Sequence, residues 1–331
     1  MPRKDYEKIK EIFENIVKTF RSKDSKKIQK YLMRDIKSYF SVFPSHFASL
    51  GKEGIDKFIT TFPKTDELHL PIYNYACCLN SNEAQAYGQV VAIATNERTD
   101  SDQLDYLHFV IMMSLHFVNQ DNWRVEEFKI DVHPITGNLL DYFKKSWYIS
   151  YSLADYDKDD NIPVIQGEFD SPWLRIKNKE DVLTEEEKIV ECVTKRFYGI
   201  DHLVVDHVIE SYSSQIGINS KRFGHREGIR NLMASLRFKR QKDRYWTHPW
   251  RVEKIQFNGN HAYALTYRVA GYIQRNHEYV WLKSNQNIEH MCQECYMEFI
   301  CENGTWKILY NDITLGLYET NYYDDEHLLQ N

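Results

Sequence analysis

The chain carries one ordered run of landmarks twice, which limits it to folds that a sequence can build two times over. Glu7-Lys8-Ile9 returns as Glu187-Lys188-Ile189, Glu53-Gly54-Ile55 as Glu227-Gly228-Ile229, and Phe117 followed by Trp123 as Phe299 followed by Trp306. The order is kept, and the separations of 180, 174, 182 and 183 residues drift only as short loop insertions and deletions would make them. A chain of 331 residues exceeds what one core supports, whereas halves of about 150 sit near the common domain size. The spacing predicts a first copy over 1–148, a connector over 149–181, a second copy over 182–319 and a polar tail over 320–331.

Composition narrows the class. An apolar fraction of 42% excludes disorder, and 23 Tyr with 17 Phe favour half-buried sheet over a helical bundle. The net charge of -6 implies no general affinity for polyanions. The first ten residues are charged and then amphipathic, unlike a secretory signal, and no apolar run reaches membrane-spanning length. Six cysteines without regular spacing read as reduced thiols, so the expected location is cytoplasmic.

Each half follows one plan. Ile9, Ile12, Phe13, Ile16, Val17 and Phe20 fall at three- and four-residue steps, which predicts an amphipathic helix over 6–20. A second short helix is expected over 25–33, a strand over 35–42, a helix over 51–62, then strands over 84–95, 104–118 and 123–132. The second copy opens on Thr184 and Glu187, a capping box, and continues with strands over 250–257, 261–274, 290–301 and 306–315, turning at Asn258-Gly259 and Asn303-Gly304. The connector is acidic and contains Pro163, Gly167 and Pro172, yet it also holds Ile162, Val164, Ile165, Phe169 and Trp173. A free linker needs no such residues, so it is expected to pack along a domain surface.

This plan resembles the nuclear transport factor 2-like superfamily and, within it, the SnoaL-like group. The matching residues are Gly51-Lys52-Glu53-Gly54-Ile55 with Phe58, Gly224-His225-Arg226-Glu227-Gly228-Ile229, and the closing strands Phe117 to Trp123-Arg124-Val125 and Phe299, Asn303-Gly304, Trp306-Lys307-Ile308. The resemblance implies an α+β fold of two cone-shaped domains, each a strongly curved, mostly antiparallel sheet wrapped around N-terminal helices, with an apolar pocket at the open end. It also implies that the fused copies form an internal pseudo-dimer, with further homodimerisation open. Relatives include cofactor-free dehydratases, isomerases and cyclases beside binding and scaffolding proteins. The dehydratases work through His and Asp pairs, for which this sequence shows no match.

Candidate site residues come first from the penultimate strands, where alternation separates two faces. Leu107, Phe109, Ile111, Met113, Leu115 and Phe117 form one apolar face. The other carries His108, Val110, Met112, Ser114 and His116, matched in copy two by His290, Cys292, Glu294, Tyr296 and Glu298. A histidine that recurs beside carboxylates suits acid/base work, and polar pairing between sheets explains the same pattern. The expected proton carriers are His108 or His290, with Glu298 or Asp35 as charge partner. Expected ligand contacts are His46, Tyr75, His116, Tyr267, Glu294 and Tyr296, with Asp35 and His46 at the pocket mouth that the resemblance implies. His248 beside Pro249 is a weaker analogue of these.

No metal or cofactor is expected. His108 and His116 lie about 26 Å apart along a regular strand, too far to share a metal. Cys292 and Cys295 alternate to opposite faces of a strand, and no second pair completes a zinc site. The basic and aromatic run from Arg237 to Arg251 reads as a solvated loop or a lid rather than a nucleic-acid surface. Three functional readings stay open. One is a domain pair that binds a small, mostly apolar molecule in a cone, with cofactor-independent lyase or isomerase chemistry. A second is a non-enzymatic interaction or ligand-binding module with degenerate pockets. A third is a catalytically degenerate pair in which one copy keeps a pocket and the other only completes the sheet interface, with copy two, whose penultimate strand is more polar, the first place to look for the site.

Overall fold

The computed structural model describes residues 2–43, 48–62, 64–97, 104–137, 147, 163–215, 247–272 and 288–320. They belong to two compact units, one of residues 1–94 and 107–183, the other of 95–106 and 184–331.

In the first unit, helix α1 (Pro2–Ser22) buries Ile9, Ile12, Phe13, Ile16, Val17 and Phe20, the stripe that the sequence periodicity marks out. A 3-10 helix (Ser25–Tyr31) leads into β1 (Leu32–Phe40), and α2 (Gly51–Thr60) follows. Then come β2 (Glu67–His69), β3 (Ile72–Leu79), β4 (Glu83–Glu97), β5 (Leu104–Asn119) and β6 (Trp123–Gly137). They form a six-stranded sheet in the order β1-β6-β5-β4-β2, with β3 also paired to β4. Strand β1 runs parallel to β6, while β3 with β4 and β5 with β6 are antiparallel. Leu107, Phe109, Ile111, Met113, Leu115 and Phe117 are all fully buried, and their face of β5 joins the core with α1. This is the α+β cone that the resemblance implies.

Two local expectations are corrected. The segment read as a second helix to 33 is a 3-10 helix that stops at Tyr31, because Leu32 is already paired with Val125 of the sheet. Asp35 therefore lies within β1, exposed, and not at a helix end.

Among the described residues, the interior of this cone is packed with aromatic side chains. Phe20, Phe40, Phe43, Phe58, Phe62 and Phe109 are all buried, and Trp147 stacks on Phe58 with centroids 4.9 Å apart and edge-on to Phe62 and Phe109. The indole of Trp147 donates to Thr61 Oγ1 at 2.9 Å, so its one polar atom is satisfied within the plug.

Residues 163–183 also belong to the first unit. Strand β6 sends Phe128, Ile130 and Val132 into the core, and the alternate residues Glu127, Lys129 and Asp131 meet this strap. The Asp131 carboxylate accepts from the backbone N–H groups of Val164 (2.7 Å) and Ile165 (3.1 Å). Asp170, 1% exposed, pairs with Lys129 at 2.9 Å, and Arg175 at the end of α3 (Pro172–Arg175) pairs with Glu127 at 2.6 Å.

The second unit repeats the plan. It contains α4 (Glu185–Asp201), α5 (Val205–Glu210), β7 (Trp250–Asn258), β8 (His261–Tyr272), β9 (Ile288–Glu302) and β10 (Thr305–Thr320), its sheet running β10-β9-β8-β7. The Thr184–Glu187 capping box is formed in both directions. Asn303 and Gly304 both take positive φ, 52° and 77°, as a tight hairpin turn requires.

Four details recur at matched positions. Trp123 Nε1 donates to Asp5 at 2.9 Å, and Trp306 Nε1 to Glu185 at 2.7 Å. Leu32 pairs in parallel with Val125, and Tyr212 with Ile308. The ladder skips one residue at Glu126 in β6 and at Leu309 in β10, each opposite the same point of the neighbouring strand. The amide of Asn119 reaches Asn82 O, and that of Cys301 reaches Asn260 O, both at 2.8 Å. Turn, bulge and lock are properties of the backbone path, so their recurrence marks a duplicated fold and not a shared composition.

Among the described residues, no helix is long and apolar enough to cross a membrane. His46, the segment 224–229, positions 237–246 of the basic run and the tail from 321 lie outside the described residues.

Candidate functional site

The sequence candidates are dispersed. His108 occupies β5, its backbone paired with Thr136, and His290 occupies β9, paired with Tyr318, while Glu294 lies further along β9 opposite Thr314. The side chains of these three lie outside the described residues. Glu298 is half-buried and Tyr296 is 41% exposed. Tyr296 stacks on Tyr263 at 6.4 Å, on the face opposite Cys295, Met297 and Phe299, which are the residues of β9 that enter the core. Tyr267 is half-buried on β8. Tyr75 packs against Tyr6 and Phe13 of α1, and burial raises its phenol well above its ordinary value.

His116 is buried on the strap side of β5, with Nε2 3.8 Å from Glu83 and 3.7 Å from Glu126. Glu127 raises its pKa, while Glu83 and Glu126 are beyond hydrogen-bond distance and partly exposed. Burial, helped by Arg175, prevails and lowers the ring to about 4.

The structure assembles a different pair. Asp201, the last residue of α4, and His248, just before β7, are 47 residues apart in sequence and joined in space. Asp201 accepts from the backbone N–H of His248 at 3.0 Å, and its second oxygen makes a short contact with Nδ1 of the ring. The Asp201 side chain is fully buried and that of His248 is 13% exposed. With Nδ1 protonated toward a buried carboxylate, the favoured tautomer carries its lone pair on Nε2. The ring is fixed further by stacking on Phe197 at 5.6 Å, and Phe197 stacks in turn on Trp250 at 4.8 Å.

Local packing explains why α4 ends where Asp201 can reach His248. A Cβ on Gly199 would lie 2.8 Å from both Val204 O and Val208 Cγ2, so only glycine lets α5 turn back against the last turn of α4. At the matching positions of the first unit stand Arg21, which donates to Leu68 O at 3.0 Å, and Leu70, which packs on the core. At these two matching positions the first copy has no such pair.

In the same unit, three core positions differ in chemistry between the copies. Ile16, Leu32 and Phe128 of the first unit are buried and apolar. Their counterparts, at the separations of 180 and 183 residues that align the copies, are Arg196, Tyr212 and Asn311, which are 3%, 1% and 8% exposed. The Arg196 guanidinium lies 4.5 Å from the centre of the Phe197 ring and 5.5 Å from that of Tyr212. Asn311 Nδ2 approaches the Tyr212 hydroxyl at 3.5 Å, and burial pushes that phenol up despite the neighbouring Arg196. Cys192, on the same helix, donates to Ser211 O, and burial pushes its thiol up to about 12, which makes it packing rather than a nucleophile.

The sequence reading names His248 only as a weaker candidate and misses Asp201 and Arg196. Asp201 and His248 are distant in sequence, and a lone Arg in an amphipathic helix looks like a solvated residue. The signal that finds Arg196 is superposition of α4 on α1, which drops it onto an apolar position.

No protein-family model matches the chain, and no curated protein matches it by sequence. Solved structures similar to it include an NTF2-like protein with a cystatin-like fold from Novosphingobium aromaticivorans, 16% identical, covering 39% of this chain and 82% of that one with a TM-score of 0.31. Another is the hexachlorocyclohexane dehydrochlorinase LinA-type3 from Novosphingobium barchaimii, 10% identical, covering 40% of this chain and 89% of that one with a TM-score of 0.31. A protein with a cystatin-like fold from Nostoc punctiforme is 15% identical and covers 39% of this chain and 92% of that one, with a TM-score of 0.29.

Proposed function

We propose that the second unit binds a small molecule and moves a proton on it without a cofactor, and that the first unit is a filled copy kept for structure. The observation that carries this reading is the Asp201–His248 pair, present in one copy and replaced by Arg21 and Leu70 in the other. His248 is the proton carrier through Nε2. Asp201 is a positioning residue: its buried charge holds the tautomer and favours the imidazolium once the proton has arrived. Phe197 and Trp250 give the ring an apolar flank, which suits a ligand with an aromatic or hydrophobic body. A proton carrier of this kind serves dehydration, isomerisation and cyclisation alike.

The test is solvent exchange. The protein is incubated in D2O with a panel of aryl ketones and other hydrophobic carbonyl compounds, and loss of the α-proton signal is followed by NMR. At least one compound exchanges faster than in buffer, and His248→Ala slows that exchange about 100- to 10,000-fold with little change in melting temperature. Asp201→Asn shifts the pH profile of exchange as well as its rate. Exchange no faster than buffer across the panel, or full activity in His248→Ala, would defeat the reading.

A further inference from the structure

We infer that the second unit takes a ligand bearing a carboxylate, and that Arg196 receives it with Tyr212 and Asn311. The inference deepens the proposed reading by naming the ligand class, and rests on it for placing a ligand in that unit. Arg196 is 3% exposed, and its Nε and Nη1 have no hydrogen-bond partner among the described residues. Asn311 Oδ1 also has none, while its Nδ2 faces the Tyr212 hydroxyl. These residues come from three separate elements: α4, the segment after α5, and β10. All three replace apolar core residues of the first unit, Ile16, Leu32 and Phe128, so the fold itself does not call for polar groups there.

A guanidinium cannot shed its proton to escape burial, as a buried lysine does. Contacts with the rings of Phe197 and Tyr212, and a hydrogen bond to the Tyr212 hydroxyl, offset part of its lost hydration and leave Nε and Nη1 without a partner among the described residues. What satisfies it is a planar anion of one charge that accepts from several N–H groups at once. A carboxylate does so, whereas a phosphate brings more negative charge than a single arginine offsets. The rings of Phe197, Tyr212 and Trp250 indicate that the carboxylate is carried on an aromatic or similarly flat body.

Titration calorimetry of the full chain with benzoate, and with benzamide as its uncharged match, tests this. Benzoate binds and benzamide does not. Arg196→Met lowers benzoate affinity about 100-fold, and Arg196→Lys lowers it less. Removing an unpaired buried charge also leaves the ligand-free melting temperature of Arg196→Met unchanged or higher. The inference is overturned by equal binding of benzoate and benzamide, by no benzoate binding at millimolar concentration, or by unaltered affinity in Arg196→Met. It is also overturned if Arg196→Met melts far lower and benzoate fails to bind the parent chain, because an acidic residue of this chain would then be the partner of Arg196. Two variants separate the two readings: His248→Gln lowers proton exchange, whereas Arg196→Met removes the preference for benzoate over benzamide. Benzoate binding without proton exchange would sink the proposed reaction alone, and exchange without carboxylate preference would sink the Arg196 assignment alone.

Discussion

Protonation at the strap gives the first unit an unusual dependence on pH. Asp131 is fully buried and, although it accepts two backbone N–H bonds, burial raises its pKa from 3.8 to about 7. A raised carboxylate binds its proton more tightly in the folded chain, so its contribution is present at low pH and is lost as pH rises through 7. About three pKa units correspond to roughly 4 kcal/mol, an order-of-magnitude figure. His116 acts in the opposite direction. Its pKa falls from 6.5 to about 4, so its contribution is present above 6.5 and is lost as pH falls toward 4, to the extent of about 3 kcal/mol. Between pH 6.5 and 4 the two nearly cancel, and only the gain of about 1 kcal/mol from pH 8 to 6.5 remains. The assay is urea unfolding of the parent chain, Asp131→Asn and His116→Gln at half-unit steps from pH 4.5 to 8, compared as differences so that the other titrating groups drop out. Asp131→Asn loses stability on acidification relative to the parent, and His116→Gln gains it. Differences that stay flat across the range for both variants would refute the reasoning.

Other outcomes follow from packing. Trp147→Ala removes the plug stacked on Phe58 and costs about 3–5 kcal/mol, read by thermal unfolding, and it opens space for small apolar probes that the parent does not bind. Gly199→Ala forces α5 from α4 and costs about 1–3 kcal/mol, with loss of the Asp201–His248 contact visible in the histidine NMR signals. Trp123→Phe and Trp306→Phe each lose one indole bond to a partly exposed carboxylate and cost about 1 kcal/mol or less, by similar amounts in the two units.

What the sequence exposes is local and periodic. The α1 stripe, the alternation of β5, the Thr184 cap and the Asn303-Gly304 turn each depend on neighbours a few residues away, and each forms as read. The recurrence of Trp123 as Trp306 in the sequence points to a duplicated fold, and the matched indole–carboxylate bonds explain why those residues recur. The candidate site is less legible because it is made by closure of the chain. Asp201 meets His248 only after α5 folds back at Gly199. Arg196 stands out only against Ile16, and Tyr212 only once its bridge to Ile308 aligns it with Leu32. The sequence puts Asp35 at a helix end because it hides the point at which the sheet captures Leu32.

The account holds that one copy is filled and the other carries the site, and the seven tryptophan indole N–H signals read both copies in one spectrum. On titration with benzoate or with an exchanging carbonyl compound, Trp250, stacked on Phe197, shifts with the ligand, whereas Trp147, sealed against Phe58 and Thr61, stays fixed. A saturable shift at Trp147 with Trp250 unmoved would put the ligand in the first unit and contradict the account.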